Sequence, residues 1–412
     1  MRRYRPRHLT GDGRRGAALV GVVAALVLVA GGVAYVVVRS DPDPSVSAEA
    51  PSTTTSSSTT TSSSTTTTTR PPPRSGTMAF SGDVLIHSGV WEAAATGSGY
   101  DFSPMLAPIA AQLTAADVAI CHLEVTLARP GDGLSSYPRF RAPRELAGDL
   151  AEAGYDGCSV ASNHALDFGE QGVVATLDAL DEAGVAHAGT ARSPEEDARP
   201  ALYDVDGIAV AQLSYTYGFN GFVRPAGKEW LVDQIDPALI LADARAARAA
   251  GAELVIVSLH WGNEYHHEVV AAQRVVADAL AAAPGAVDLV VGHHAHVVQP
   301  ISKAGAMWVV WGMGNLLSNN SPGCCPSDTA DGVVVTATIG DTSDGVAITD
   351  VAFTPTWNER STFRVLPAAA TLAAGTDPAL VDDLRASYAR TTASILSLGA
   401  AELGVEADRA LP

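Results

Sequence analysis

Cysteine is scarce: Cys121, Cys158, Cys324 and Cys325 are the only four in 412 residues. A disulfide-framed scaffold is thereby excluded, and stability has to come from a buried core. Cys121 and Cys158 sit in apolar, strand-like runs and read as buried small hydrophobes. Cys324 and Cys325 lie in a Pro/Gly-flanked loop that is open to oxidation outside the cell, but neighbouring cysteines seldom pair with each other. Positive charge is scarce as well, and unevenly placed. Residues 1–39 carry seven Arg against Asp12, a net of +6, which leaves −25 on the rest of a chain whose total is −19. A body that acidic repels nucleic acid and anionic lipid, so a nucleic-acid partner is excluded. Most of the charge reads as a solvated surface, and it also suits a site that gathers cations.

There is one long hydrophobic run, residues 17–38, with no charged side chain. At ~1.5 Å rise per residue, a helix of that length covers the roughly 30 Å hydrocarbon core of a bilayer. No Ala-x-Ala-like cleavage site precedes Arg39, which favours an uncleaved signal anchor over a removable signal peptide. Residues 1–16 form the basic segment that stays in the cytoplasm, so the expected topology is a single-pass membrane protein with its C-terminal bulk extracytoplasmic. Residues 39–75 are dominated by Ser, Thr and Pro, have nothing to bury, and read as a disordered linker.

From residue 77 short apolar runs alternate with helical periodicity, the pattern of an α/β fold. Strands are expected at 77–86, 117–121, 157–161, 254–260 and 287–291. Helices are expected at 105–114, 144–153, 169–183, 237–250 and 268–283, with Gly154 and Gly184 as C-terminal stops. Asp206-Gly207 predicts a hairpin within 201–215. Strands at 307–311, 332–339 and 346–353 follow one another without helices, which points to a second, more antiparallel sheet. The last helix, 377–398, carries Leu380, Leu384, Tyr388 and Ile395 on or near one face.

Five segments at strand ends or in the following loops carry the chemistry. The first strand ends on Gly82-Asp83, a common turn pair, with His87 four residues on. His122 and Glu124 interrupt an apolar run and share one strand face. In the segment Ser162-Asn163-His164-Ala165-Leu166-Asp167, Asn163 or Asp167 by itself would serve as a helix cap. His260 closes an apolar strand and is followed by Trp261, Glu264, His266 and His267. Most telling is His293-His294-Ala295-His296: three imidazoles in four residues after a buried strand each need a buried partner, and metal ligation supplies one. A mixed set of His, Asn and carboxylate donors favours Mn, Fe or Zn over Ca. Two such divalent ions can bind a phosphate ester and activate water, with Glu124 as the candidate bridging carboxylate.

These segments, with Gly314-Asn315 after them, resemble over residues 77–320 the CapA family of poly-γ-glutamate capsule biosynthesis proteins. The family is itself similar to calcineurin-like metallophosphoesterases. The resemblance implies an α/β four-layer αββα sandwich over residues 76–370, followed by a C-terminal helical segment, 371–412. It implies that Asp83 binds one metal, Glu124 bridges, Asn163 and His260 bind the second, and the cluster of His293, His294 and His296 completes both; either His293 or His294 is the ligand there, and strand alternation pairs His294 with His296. His164 takes the place of a proton donor to the leaving group, and His87, His122, Asp167, Trp261, Glu264 and Asn315 support the ligands or the substrate. Two positions depart from the pattern: phosphoesterases place Asp-x-His where His87 stands four residues from Asp83, and His122 stands where the CapA family has Asn.

The expected function is therefore a role in capsule or surface-polymer biosynthesis, acting on an anionic polymer with membrane partners of a synthesis or export complex. Two other readings stay open. One is a stand-alone extracytoplasmic phosphoesterase, and the other is a non-catalytic polymer-binding scaffold.

Overall fold

The computed structural model describes residues 72–320, 323–375 and 377–407. The basic segment, the apolar run and the linker up to residue 71 lie outside the described residues. Among the described residues no helix is long and apolar enough to cross a membrane. Order reaches back into the stretch expected to be linker, since Arg74 is held by Glu253 and Asp341.

The chain first lays down β1 (Ser75–Leu85), β2 (Val118–Leu123), β3 (Gly157–Ser159) and β4 (Ala186–Ala188). All four are parallel neighbours in that order. Helix α1 (Glu145–Ala153) joins β2 to β3, and α2 (Gly169–Ala183) joins β3 to β4. Both helices stop on a glycine in the left-handed region, Gly154 (φ 107°) and Gly184 (φ 74°), where a side chain would be strained. The helix expected over 105–114 is broken into Ser103–Leu106, a 3-10 turn Ala107–Ile109, and Ala110–Thr114. Pro108 is the reason, because it removes one helical N–H and crowds the preceding turn.

A hairpin of β5 (Ala201–Val205) and β6 (Ile208–Thr216) opens the second sheet. Asp206 and Gly207 both have positive φ, 51° and 78°, as a type I′ turn requires. There follow α3 (Pro237–Ala249), β7 (Leu254–His260), α4 (Ala271–Ala281), β8 (Leu289–His293), β9 (Ile301–Ala304) and β10 (Met307–Val310). In this sheet β6, β7, β8 and β10 are parallel neighbours, with β5 and β9 antiparallel at the edges.

The remaining strands are β11 (Asn315–Ser318), β12 (Asp331–Thr342), β13 (Gly345–Asn358) and β14 (Val365–Pro367). They correct the expectation of a separate antiparallel sheet. β10 belongs to the parallel second sheet, whereas β12 returns to the first sheet and pairs antiparallel with residues 75–81 of β1, with β13 and β14 outside it. Beyond Asp83, β1 exchanges this partner for β11, which runs parallel. The physical cause lies in β1, buried along nearly its whole length, whose open edge would otherwise present unpaired backbone groups to the core.

Three cores define the layers. Met78, Phe80 and Ile120 of the first sheet meet Val210, Ile256, Leu289 and Val291 of the second, with Val333, Val335 and Ile339 of β12 completing this middle core. Leu146, Leu150, Leu177 and Leu180 of α1 and α2 cover the outer face of the first sheet. Ile240, Ala244, Ala277 and Leu280 of α3 and α4 cover the outer face of the second. A last helix, α5 (Val381–Leu396), buries Leu384 against Trp357 and Leu366 and sends Ile395 into the middle core.

Both cysteine expectations are corrected. Cys121 and Cys158 are buried, as expected, but form a disulfide, since β2 and β3 place them directly opposite with Cα atoms 4.4 Å apart. Cys324 and Cys325, adjacent in sequence, also form a disulfide.

Candidate metal centre

The strands of both sheets end at the same place. β1 ends through Asp83, β2 through His122 and on to Glu124, and the turn after β3 carries Asn163, His164 and Asp167. From the second sheet, β7 ends on His260, and β8 ends on His293 and runs into His294 and His296. The chain leaves β8 with positive φ at His294 (85°) and His296 (55°), an uncommon conformation for side-chain-bearing residues that is typical of functional turns. Strand alternation therefore does not govern this segment, and the turn turns all three imidazoles inward.

Two groups of potential ligand atoms result: Asp83, His122 and His293, and Glu124, His294 and His296. Within each group the atoms lie within 4.8 Å of one another. The groups abut. His293 Nδ1 donates to Asp83 Oδ1 at 2.9 Å, and His296 Nδ1 lies 3.2 Å from Asp83 Oδ2. Glu124 Oε1 lies 3.7 Å from both His296 Nε2 and His260 Nε2. The His294 N–H donates to Asp83 Oδ2. The rings of His122 and His293 stack at 3.9 Å between centroids.

Burial sets the charge states. At Asp83 it works to raise the pKa, but hydrogen bonds from His293 and His296 outweigh it and hold the carboxyl well below the usual carboxylate range. Burial pushes Glu124 well above that range against the attraction of His296. His122 and His260 are held well below the usual imidazole range by burial, and His294 is brought down to about 3 by the same cause. His296 is raised to about 9, burial being outweighed by the nearby Glu124 and Asp83. Neutral imidazoles are the form that ligates metal.

These residues fit divalent ions on a specific structural ground. Both carboxylate oxygens of Glu124, fully buried, have no hydrogen-bond partner, and neither has the buried Nδ1 of His294. Orphaned buried acceptors of this kind carry a large desolvation cost unless something else satisfies them. Six convergent N and O donors suit Mn, Fe or Zn in particular.

Around this core stands a supporting layer. Ser159 Oγ lies 2.8 Å from His122 Nδ1, His122 Nε2 lies 2.9 Å from His260 Nδ1, and His260 Nε2 donates to Asn163 Oδ1 at 2.9 Å. Asn163 and His260 are thus bonded to each other rather than grouped with the six donors. His122, expected behind the ligands, stands among them because its Cα is in register with Asp83 on β1. Asn315 accepts from His296 Nδ1 at 3.0 Å and donates to Thr329 O. His164 Nδ1 donates to Asp167 Oδ2 at 2.8 Å, and the same oxygen accepts the Phe140 N–H at 2.6 Å.

Two residues stand apart from the centre. His87 Nδ1 lies 3.0 Å from Leu85 O and 3.2 Å from the Asn319 nitrogen, outside both donor groups, and burial lowers its pKa to about 4. Trp261 corrects an expectation: its ring is in the outer core of the second sheet, stacked on Trp311 and donating to Trp311 O at 3.0 Å, so it faces packing rather than substrate. Glu264 is exposed, yet close enough for its charge to act on Glu124 and His296.

Sequence reasoning missed Tyr217 and Asn220. Tyr217 lies with its ring 4.6 Å from that of His294 and is hydrogen-bonded to Asn163, and Asn220 reaches both Asn163 and His164. They follow β6, a strand that ends beside β7, so the strand-end rule that found the others would have found them had β6 been placed next to β7.

The chain is similar to several known proteins. The capsule biosynthesis protein CapA of Bacillus anthracis is 28% identical over 179 residues, 43% of this chain and 43% of its own length. The PGA biosynthesis protein CapA of Bacillus subtilis strain 168 is 30% identical over 164 residues, 38% of this chain and 41% of its own. The chain thus spans less than half the length of these curated relatives. Among solved structures, the calcineurin-like phosphoesterase YfkN from Bacillus subtilis aligns with a TM-score of 0.41 at 12% identity, covering 69% of this chain and 91% of that one. Residues 77–320, more than half of the chain, match the model of the family described as bacterial capsule synthesis protein PGA_cap, and the chain belongs to that family.

Proposed function

We propose that this chain is a membrane-anchored, extracytoplasmic member of its family that hydrolyses phosphoesters at a dinuclear centre during synthesis of a capsule or other anionic surface polymer. The observation that carries the reading is Glu124, a member of the second donor group whose two buried oxygens have no hydrogen-bond partner. On this reading the αββα layers are of the metallophosphoesterase type. Asp83, His122 and His293 would hold one ion, and His294 and His296 the other. Glu124 would be the carboxylate shared between them, and Asn163 and His260 would have to exchange their mutual hydrogen bond to close the second site. The 17–38 run and the two disulfides suit export to an oxidising compartment. The family match and the names of the curated relatives support the polymer setting.

Bound divalent ions of the Mn, Fe or Zn type supply Lewis-acid stabilisation of the phosphoryl oxygens and lower the pKa of an attacking water. The chain supplies position and a proton. Asp167 accepts from His164 Nδ1 and so orients the ring, leaving Nε2 as the atom that would pass a proton to the departing oxygen. The Phe140 N–H on Asp167 Oδ2 and the Phe140 ring, 4.6 Å from that of His164, fix the pair. Tyr217 covers His294 on the solvent side and limits water.

The test is hydrolysis of bis(p-nitrophenyl) phosphate and p-nitrophenyl phosphate by the full-length chain in detergent, with Mn²⁺ and with excess chelator. Turnover that disappears on chelation and returns with Mn²⁺ is expected. A metal-loaded chain with no turnover on either ester would leave only a polymer-binding role.

A further inference from the structure

Resting on that reading, the geometry points to a substrate class: we infer that Arg139 receives a second acidic group of the substrate, next to the phosphoryl group being cleaved. The protein would then act on phosphoesters embedded in an anionic chain rather than on isolated ones.

Arg139 is placed by the centre itself. It precedes Phe140, whose N–H holds Asp167 and whose ring packs edge-on against both His164 (4.6 Å) and His87 (5.1 Å). The Arg139 guanidinium donates through Nε and Nη2 to the main-chain oxygen of Asp167. Its Cζ lies 4.6 Å from the centroid of the Phe168 ring and 5.3 Å from that of Phe222. Two aromatic faces and a carbonyl therefore hold the group rigidly, beside the proposed proton donor.

What Arg139 lacks, among the described residues, is a counter-ion. Arg129 and Arg141 pair with Asp132, and Arg144 pairs with Glu182. Arg139 is exposed, has no carboxylate partner, and its Nη1 makes no hydrogen bond among the described residues. An arginine used only to brace Asp167 needs neither exposure nor a free edge. A pre-oriented guanidinium with one open edge suits a carboxylate or phosphate oxygen, and little side-chain entropy remains to be lost on binding. The location also answers an electrostatic problem. Exposed Glu264 and the acids of the centre repel a polyanion, and Arg139 offsets that repulsion on the His164 side.

The test uses the Mn²⁺-loaded full-length chain in detergent and two non-hydrolysable probes, 3-phosphonopropionate and ethylphosphonate, which differ by one carboxylate. Calorimetry should show the former binding about tenfold or more tightly, the scale of one charge-assisted hydrogen bond. Arg139→Gln should abolish that preference while leaving ethylphosphonate affinity within about threefold, and Arg139→Lys should keep part of it. Replacing the probe carboxylate by a second phosphonate distinguishes the two sources of negative charge. Equal binding of the probes by the wild-type chain, or equal losses of both in Arg139→Gln, would overturn the inference and leave Arg139 as a brace for Asp167. Metal content measured on the same samples separates this failure from failure of the centre. Because the readout is binding, it stands whether or not phosphoesters are hydrolysed.

Discussion

The two sheets contribute differently to the centre. Both carboxylates of the donor groups, Asp83 and Glu124, come from the first sheet, and three of the four imidazoles, His293, His294 and His296, come from the second. The first sheet is braced covalently by Cys121–Cys158, on the two strands that lead to Glu124 and Asn163. The second is held by apolar packing on both faces and by the Trp261–Trp311 stack. Neither donor group is completed by one sheet alone. The candidate metal centre is therefore a product of the middle core, and assembling it reports on the packing of the two sheets.

Removing the buried acid whose oxygens have no hydrogen-bond partner should have the largest effect. Glu124→Gln keeps the volume but loses the proposed bridging carboxylate, so hydrolysis is expected to fall on the order of 10³-fold, with loss of at least one ion. Kinetics together with metal analysis check this; normal metal content and turnover would refute the bridging role. His164→Gln should lower kcat on the order of 10²-fold with metal content unchanged, the usual scale of a lost proton donor. Loss of metal in that variant would mean that His164 is structural.

Covalent bracing is the next contrast. The Cys121–Cys158 loop has a sequence separation of 37, and in the chain-entropy picture such a bridge is worth about 3–4 kcal/mol. A Cys121→Ala/Cys158→Ala double variant, compared with wild type in urea unfolding, should lose that much. An unchanged midpoint would show the link to be dispensable.

A smaller effect should appear with pH. Burial lowers His87 to about 4 and His294 to about 3, and depresses His122 and His260 as well. In the unfolded chain each would titrate near 6.5. Between these values the unfolded state binds more protons, so the contribution of these four histidines is full above about pH 6.5 and declines as pH falls toward 3–4, whereas that of His296, raised to about 9, is lost as pH rises through 9. Urea unfolding of the metal-free chain across that range should show the decline, and a flat profile would contradict it.

Much of the fold was legible because strands that end on polar residues after apolar runs announce themselves, as at Leu254–His260, and because Gly154 and Gly184 mark helix ends. What sequence could not supply was register and neighbourhood. Cys121 reads as a small hydrophobe until β3 is known to lie beside β2 in register. Trp261 follows a ligand-like histidine yet points to the opposite face, which a strand-to-loop transition hides. The strands at 331–342 and 345–358 carry no sign that they close the edge of β1, a pairing across some 250 residues. Tyr217 and Asn220 follow a hairpin that looked peripheral and proved to border the centre.

The most direct measurement is the metal content of the full-length chain, by plasma mass spectrometry after equilibration with Mn²⁺ or Zn²⁺, alongside His294→Ala. The account predicts about two ions per wild-type chain, as two-metal chemistry requires, and fewer in the variant. A folded wild-type chain that retains no ion under any of these conditions would contradict it.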